Sequence, residues 1–251
     1  MSMKYTMSFA AVALGVGLSA AADGAVPEVS GAPFAVVELF TSEGCSSCPP
    51  ADRVLARLGK LNSKERQIFI LGFHVDYWNH LGWRDRFSDR AYSQRQRAYS
   101  ESLGTNRIYT PQMVINGSAE FIGSKGKTVV NEVNAALKRR PPVATSVTAK
   151  YRRSASAVDV EWQLGAVPSG AELLLAVTES NIRSRITRGE LRGRTLKYDG
   201  VVRYLKVVPL TKTGIEKLKL PASLSPQESA VVLLVQDQTS KRILGASRAT
   251  L

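Results

Sequence analysis

The sequence predicts an α/β domain over residues 34–140, carrying a helical insertion, followed by a mostly β, sandwich-like domain over residues 143–251. Three observations predict it. Short apolar runs alternate with helix-spaced stretches as far as about Lys138. Arg139-Arg140-Pro141-Pro142 then interrupts the pattern. Beyond it, β-branched alternation punctuated by turn residues takes over. With 44% hydrophobic and 22% charged residues, the 251-residue chain has a globular composition, which excludes wholesale disorder and a membrane channel.

Residues 1–22 read as a signal peptide: a lone early charge at Lys4, an apolar run from Phe9 to Leu18 too short to span a bilayer, and small residues from Ser19 to Ala22. Residues 23–33 follow as a linker. The processed chain is therefore expected in a bacterial periplasm or outside the cell, with no stable membrane insertion. Next come a buried strand from Phe34 to Phe40, a helix around Asp52 to Leu58 and a second buried strand from Ile68 to Phe73. Ser88 and Asp89 offer N-caps to a helix through about Leu103, which Gly104 is suited to end. Two strands, Gln112 to Ile115 and Ala119 to Ile122, flank the hairpin turn Asn116-Gly117, and a helix from Val129 to Leu137 follows. In the second half, strands are expected near 143–152, 156–164, 171–179, 200–208 and, in two runs, 230–247.

Chemistry concentrates at Cys45-Ser-Ser-Cys48, since these are the only two cysteines and they lie between a predicted strand and a predicted helix. A helix N-terminus favours a thiolate, which makes Cys45 the expected exposed nucleophile and Cys48 the resolving thiol one turn further in. Pro49 and Pro50 fit a first helical turn, whose N–H groups have no intrahelical partner. The same pair also admits a purely stabilising disulfide. Equally, it admits soft-metal binding, copper or zinc, with His74 or His80 as further ligands. Glu38 is a carboxylate inside an apolar strand; it is either a proton acceptor for Cys48 or a strand-end acid. Thr110-Pro111, just ahead of a strand, is a candidate cis bond.

Taken together, these residues resemble the thioredoxin superfamily and, within it, the exported domain-of-unknown-function family 1223. The stretches that carry the resemblance are Val37 to Asp52, Phe73 to Trp78 with Leu81-Gly-Trp83, Arg95 to Tyr99 and Tyr109 to Val114, joined in the second half by Arg188-Gly-Glu190 and Gly193 to Tyr198. The resemblance implies a thioredoxin-like fold with a β appendage. It also implies Cys45 as attacking thiol, Cys48 as resolving thiol, Pro111 as a cis-proline facing them and Glu38 as the buried acid. Two departures from the superfamily stand out. Glu38 is Glu rather than Asp and lies one residue further from the first cysteine, and the Ser46-Ser47 spacer leaves the direction of electron flow unspecified.

Thr110, His74, Asp76, Tyr77 and Trp78 are the candidate lining of a substrate cleft, because neighbouring parallel strands end on one sheet edge. The function expected is an exported thiol-disulfide oxidoreductase with no cofactor, acting on a protein or small-molecule disulfide or thiol and served by an unidentified redox partner. Metal binding and a non-catalytic module with a vestigial disulfide are the alternatives. Net charge is +13, and residues 143–251 hold 17 basic against 9 acidic side chains. The densest basic stretch, Arg183 to Lys206, is either a solvated loop or a segment folded over the cysteine edge, with Arg188 or Arg192 near it. Nucleic acid is not an expected partner, since no aromatic platform is interleaved with the basic residues.

Overall fold

The structure is a computed structural model that describes Met1 and residues 28–251; the expected signal peptide from residue 2 onward and the linker as far as residue 27 lie outside the described residues. Among the described residues the order is β1 (Phe34–Thr41), α1 (Pro49–Gly59), β2 (Gln67–His74), α2 (Arg90–Ser102), β3 (Gln112–Ile115), β4 (Ala119–Ile122) and α3 (Gly126–Ala136). There follow β5 (Thr145–Arg152), β6 (Ala157–Leu164), β7 (Ala171–Glu179), β8 (Ile182–Arg185), β9 (Thr195–Tyr198), β10 (Val201–Val208), β11 (Thr213–Lys219), β12 (Ser229–Asp237) and β13 (Ile243–Thr250). Local signals account for several boundaries. The Asp89 side chain accepts a hydrogen bond from the Ala91 N–H at 2.8 Å and caps α2. Asn116 and Gly117 both take positive φ in the β3–β4 turn.

The predicted fold class, an α/β thioredoxin-like domain followed by a sandwich-like β domain, is corrected by the strand pairing. The chain is mostly β, and eight strands from both halves form one mixed sheet in the order β13-β12-β7-β10-β2-β1-β3-β4. β1 and β2 run parallel along their full length, and β10 joins β2 in parallel at the single pair Val201 and Gly72. That junction is made by backbone: the Gly72 N–H donates to the Gly200 carbonyl at 2.7 Å. Gly200 has φ +70°, and a Cβ there would lie 2.8 Å from the Ile70 carbonyl oxygen, so only glycine lets the two segments meet.

One face of this sheet gathers Val36, Phe40, Phe73, Leu174, Val202, Val232 and Leu234 around Tyr92 and Tyr99 of α2. On the other face, Val37, Leu39, Ile68 and Met113 pack under α1 and α3. Further along, Leu173, Leu175, Val177, Leu233 and Val235 pack against the three-stranded sheet β11-β6-β5 through Val158, Val160 and Trp162. The large sheet curls, because its β12–β13 end returns to the β3–β4 turn: the Ile243 N–H donates to the Asn116 carbonyl at 3.0 Å. A Cβ on Gly117 would lie 1.9 Å from the Lys241 carbonyl oxygen, and its φ is +63°. Gly117→Ala is accordingly expected to lower stability by about 2 kcal/mol or more, read as the urea midpoint at unchanged m-value; an unshifted midpoint would mean that this closure is dispensable.

Candidate functional site

β1 ends at Thr41 and the chain turns through residues 42–48 into α1. The turn is held by backbone bonds from Cys45 N–H to the Ser42 carbonyl and from Cys48 N–H to the Cys45 carbonyl, both 3.2 Å. Cys48 is the N-cap of α1, Pro49 and Pro50 open the helix as expected, and Cys45 and Cys48 are joined in a disulfide. The expected exposed nucleophile is corrected here: both cysteines are 0% exposed, and only Ser46 and Ser47 of the loop reach solvent. The Cys45 sulfur lies 3.4 Å from the Ser47 hydroxyl oxygen.

Where β1 and β2 end and α1 begins lies a buried cluster of ionisable groups. Asp52, one helical turn after Cys48, accepts from the Thr41 hydroxyl at 2.9 Å. Burial pushes its pKa up to about 7, against the opposing pull of His74 and the Thr41 hydrogen bond. His74 is itself buried, with Nδ1 2.6 Å from the Asp85 carboxylate. Burial works against its imidazolium, but the carboxylates of Asp85, Asp52 and Glu43 more than offset this and raise its pKa above the ordinary value. Asp85 also accepts from the backbone N–H groups of Glu43 at 2.8 Å and Phe87 at 2.9 Å. Despite the opposing effect of burial, His74 and these bonds hold its pKa below the usual carboxylate range. Glu43 accepts from the Trp83 indole N–H at 2.8 Å, and burial, reinforced by Asp85, raises its pKa. In this cluster His74 and Asp85 each favour the charged form of the other, beside an aspartate whose pKa lies near neutrality.

Glu38 is corrected as an acid for Cys48. Along β1 it alternates with Val37 and Leu39, which face α1, so its side chain enters the α2 side of the sheet. There it is fully buried and receives Arg95 Nε at 2.7 Å, Arg95 Nη2 at 3.0 Å and the Tyr99 hydroxyl at 2.5 Å.

The other anticipated residues divide. The Thr110-Pro111 bond is cis, and Pro111 falls one register position beyond the Phe40–Gln112 pair, beside Thr41 where β1 ends. Buried Gln96 and Gln112 secure the segment: Gln96 Nε2 donates to the Tyr109 carbonyl at 2.7 Å and to Gln112 Oε1 at 2.8 Å. The Thr110 hydroxyl is buried. Trp78, half-buried, stands against the cysteine loop, with its Cβ 3.2 Å from where a Cβ on Gly44 would lie. Asp76 and Tyr77 are taken up by α2: the Ser93 hydroxyl donates to Asp76 at 2.5 Å, and the Tyr77 hydroxyl donates to Gln96 at 3.0 Å. Burial pushes the Tyr77 pKa up to about 12, so the phenol stays neutral.

Asp52, Glu43 and Asp85 are not among the residues the sequence points to, whereas the basic stretch from Arg183 is, without its β8–β9 pairing. The signal for Asp52 was present, since it stands four residues after Cys48 in a helix and therefore on the same side as that cysteine. The hairpin covers the site. Ile182, Ile186, Leu191, Leu196 and Tyr198 pack with Phe87 and Trp83, and the Tyr198 ring meets the His74 ring edge-on at 4.9 Å. The acidic residue of the segment makes the contact expected of Arg188 or Arg192: the Ser46 N–H donates to Glu190 at 3.3 Å.

For metal binding, the two sulfurs are bonded to one another and His74 Nδ1 is engaged by Asp85. Among the described residues no helix is long and apolar enough to cross a membrane.

The family described as a protein of unknown function, DUF1223, matches residues 36–236. A crystal structure of a protein from Agrobacterium tumefaciens is similar at a TM-score of 0.61 and 27% identity, covering 86% of this chain and 94% of that one. HBP35 of Porphyromonas gingivalis superposes at a TM-score of 0.62 with 14% identity, over 89% of this chain and 77% of its own, a likeness of fold alone. No curated protein matches the chain.

Proposed function

This chain belongs to the DUF1223 family, and from that premise we propose that it is a thiol-disulfide oxidoreductase working through Cys45 and Cys48. The observation that carries the reading is the Cys45–Cys48 disulfide at the N-terminus of α1 with the buried carboxyl of Asp52 one turn below it. A merely stabilising bridge across so short a loop contributes only about 2 kcal/mol. It needs no titratable group beneath it.

In the reduced protein the loop, whose cysteines are buried in the oxidised form, opens, and the Cys45 thiolate, favoured by the helix N-terminus, attacks a substrate disulfide. A mixed disulfide forms as one substrate sulfur leaves as thiolate. Cys48 then gives its proton to Asp52 and attacks the Cys45 sulfur; the second substrate thiolate leaves and the Cys45–Cys48 disulfide is restored. Two electrons have passed from protein to substrate, and the reverse sequence oxidises a dithiol. Asp52, with its pKa near 7, is matched to that proton transfer at neutral pH. Nearby His74 tempers the Asp52 affinity for its proton, and Asp85 works in the opposite sense. Pro111 and Trp78 flank the loop on which the substrate sulfur arrives. This chemistry belongs in an oxidising compartment, the periplasm or the cell exterior, with a separate redox partner to reset the pair.

The test is trapping. Reduced Cys48→Ser protein should accumulate a mixed disulfide with hydroxyethyl disulfide, seen by intact mass, whereas Cys45→Ser should form none. A reduction potential below about −300 mV together with no exchange in either variant would falsify the reading in favour of an inert bridge.

A further inference from the structure

Resting on the redox reading above, we propose that the outward face of the β8–β9 hairpin is the docking surface for an acidic polypeptide segment of a protein substrate of the Cys45–Cys48 pair. The hairpin has two chemically opposite faces. Its inward side chains, Ile182, Ile186, Leu196 and Tyr198 among them, are buried over the site. Its outward side chains are cations: Arg183, Arg185, Arg188, Arg192, Arg194 and Lys197 are all exposed, and none has an ion-pair partner among the described residues. The two acids of the Arg183 to Lys206 stretch are spent on backbone, Glu190 on the Ser46 N–H and Asp199 on the Asn181 N–H.

Folding does not ask for this arrangement. The register sets Arg183 directly opposite Lys197, and like charges facing across a strand pair destabilise it. Arg86 adds to the crowding by donating from Nη2 to the Arg183 carbonyl at 3.1 Å. A cavity of about 630 Å³ at the foot of the hairpin is lined by Arg86, Arg183 and Arg203 but also by Glu179 and Glu228, so the unpaired cations lie on the hairpin face and not in the cavity. A surface that holds unpaired guanidinium groups together at a cost to its own stability is suited to an external anion, and carboxylates match the guanidinium fork.

The occupant is a polypeptide for two reasons. Arg183 and Arg185 stand on alternate residues of a strand, so their spacing, about 7 Å, repeats that of alternate side chains in an extended acidic segment. The patch also borders Ser46 and Ser47, the solvent-facing lip of the disulfide loop, so a chain held here carries its own cysteine to the reacting sulfur. A lipid surface is disfavoured because the apolar side chains of the hairpin turn inward. Such a field raises the encounter rate with an acidic substrate and falls off with salt.

The experiment uses the full oxidised chain and a fluorescent, cysteine-free peptide of alternating Glu and Gly, with its Gln-Gly counterpart as control. Expected are binding of the acidic peptide alone, weakening at least about tenfold between about 0.02 and about 0.3 M ionic strength, and loss of binding in Arg183→Glu/Arg185→Glu/Lys197→Glu. The matched triple Lys212→Glu/Lys217→Glu/Lys219→Glu, distant from the hairpin, should bind as the parent does. The milder Arg183→Gln/Arg185→Gln/Lys197→Gln serves if the first triple does not fold. Equal loss in both charge-reversed triples means diffuse charge and overturns the proposal. So does absence of peptide binding, including the case where phosphatidylglycerol vesicles or DNA bind through the hairpin instead. Exchange with the uncharged hydroxyethyl disulfide should be unchanged in the hairpin triple. Failure of that exchange in the parent protein sinks the redox chemistry while leaving peptide binding as an independent result.

Discussion

Arg95→Met is expected to cost about 3–5 kcal/mol of unfolding free energy, because it leaves the Glu38 carboxylate buried without its counter-ion. Glu38 is 0% exposed, and among the described residues it has, besides Arg95, only the Tyr99 hydroxyl to accept from. The same guanidinium donates from Nη1 to Gln236 at 2.9 Å, and Gln236 Nε2 donates to the Tyr99 hydroxyl, also at 2.9 Å. Glu38 belongs to β1, Arg95 and Tyr99 to α2 and Gln236 to β12, so one network ties the helix to both parts of the curled sheet. Removing both charges together, in Glu38→Leu/Arg95→Met, should cost clearly less than the sum of the two single changes, since no charge is then stranded. Urea unfolding of the four proteins measures the coupling. A loss below about 1 kcal/mol in Arg95→Met would show that water reaches Glu38 and that the network does not hold the halves together.

The elements of the first half were largely legible because their signals are local. Asn116-Gly117 marks its hairpin, Asp89 its helix start, and the cysteines their place between β1 and α1. What could not be read were the pairings between residues far apart in sequence. The halves are joined at one pair, Val201 with Gly72, and nothing in the β2 sequence distinguishes an edge strand from one with a neighbour on each side. The expected fold class, with a sandwich-like second half, is therefore overturned. Glu38 shows the same limit within a single strand. Alternation told that Val36, Glu38 and Phe40 share a face, but which face α1 would cover depended on tertiary packing. The cysteine pair is visible in the sequence, but of the two buried acids on β1 and α1, the sequence draws attention to Glu38 on the strand and not to Asp52 on the helix. Charge masks β8 and β9 as strands, since a four-residue strand with every second side chain an arginine is compatible both with a solvated loop and with a segment folded over the cysteine edge.

Asp52→Asn separates a site under electrostatic tension from an ordinary helix start. Burial holds the Asp52 pKa near 7, against an ordinary 3.8, so between those values the folded protein keeps a proton that the unfolded chain has released. Stability therefore falls as pH rises from about 4 to about 7 and is level beyond, by at most about 4 kcal/mol for a thousandfold difference in proton affinity. An asparagine keeps the shape, can still accept from the Thr41 hydroxyl and cannot ionise. The oxidised Asn variant should consequently match the parent at pH 4 and exceed it by about 2–4 kcal/mol at pH 8, seen as a higher urea midpoint. Its chemistry should move the other way. Without a carboxylate to receive the Cys48 proton, release of a substrate thiol from the Cys45 mixed disulfide should slow by about 10²-fold at pH 7. Formation of that mixed disulfide should be little affected. A stabilised protein with unimpaired resolution would keep Asp52 as a buried acid and remove it from the reaction. Unchanged stability at pH 8 would mean that Asp52 is ionised at no cost and that the cluster under the disulfide is not tuned.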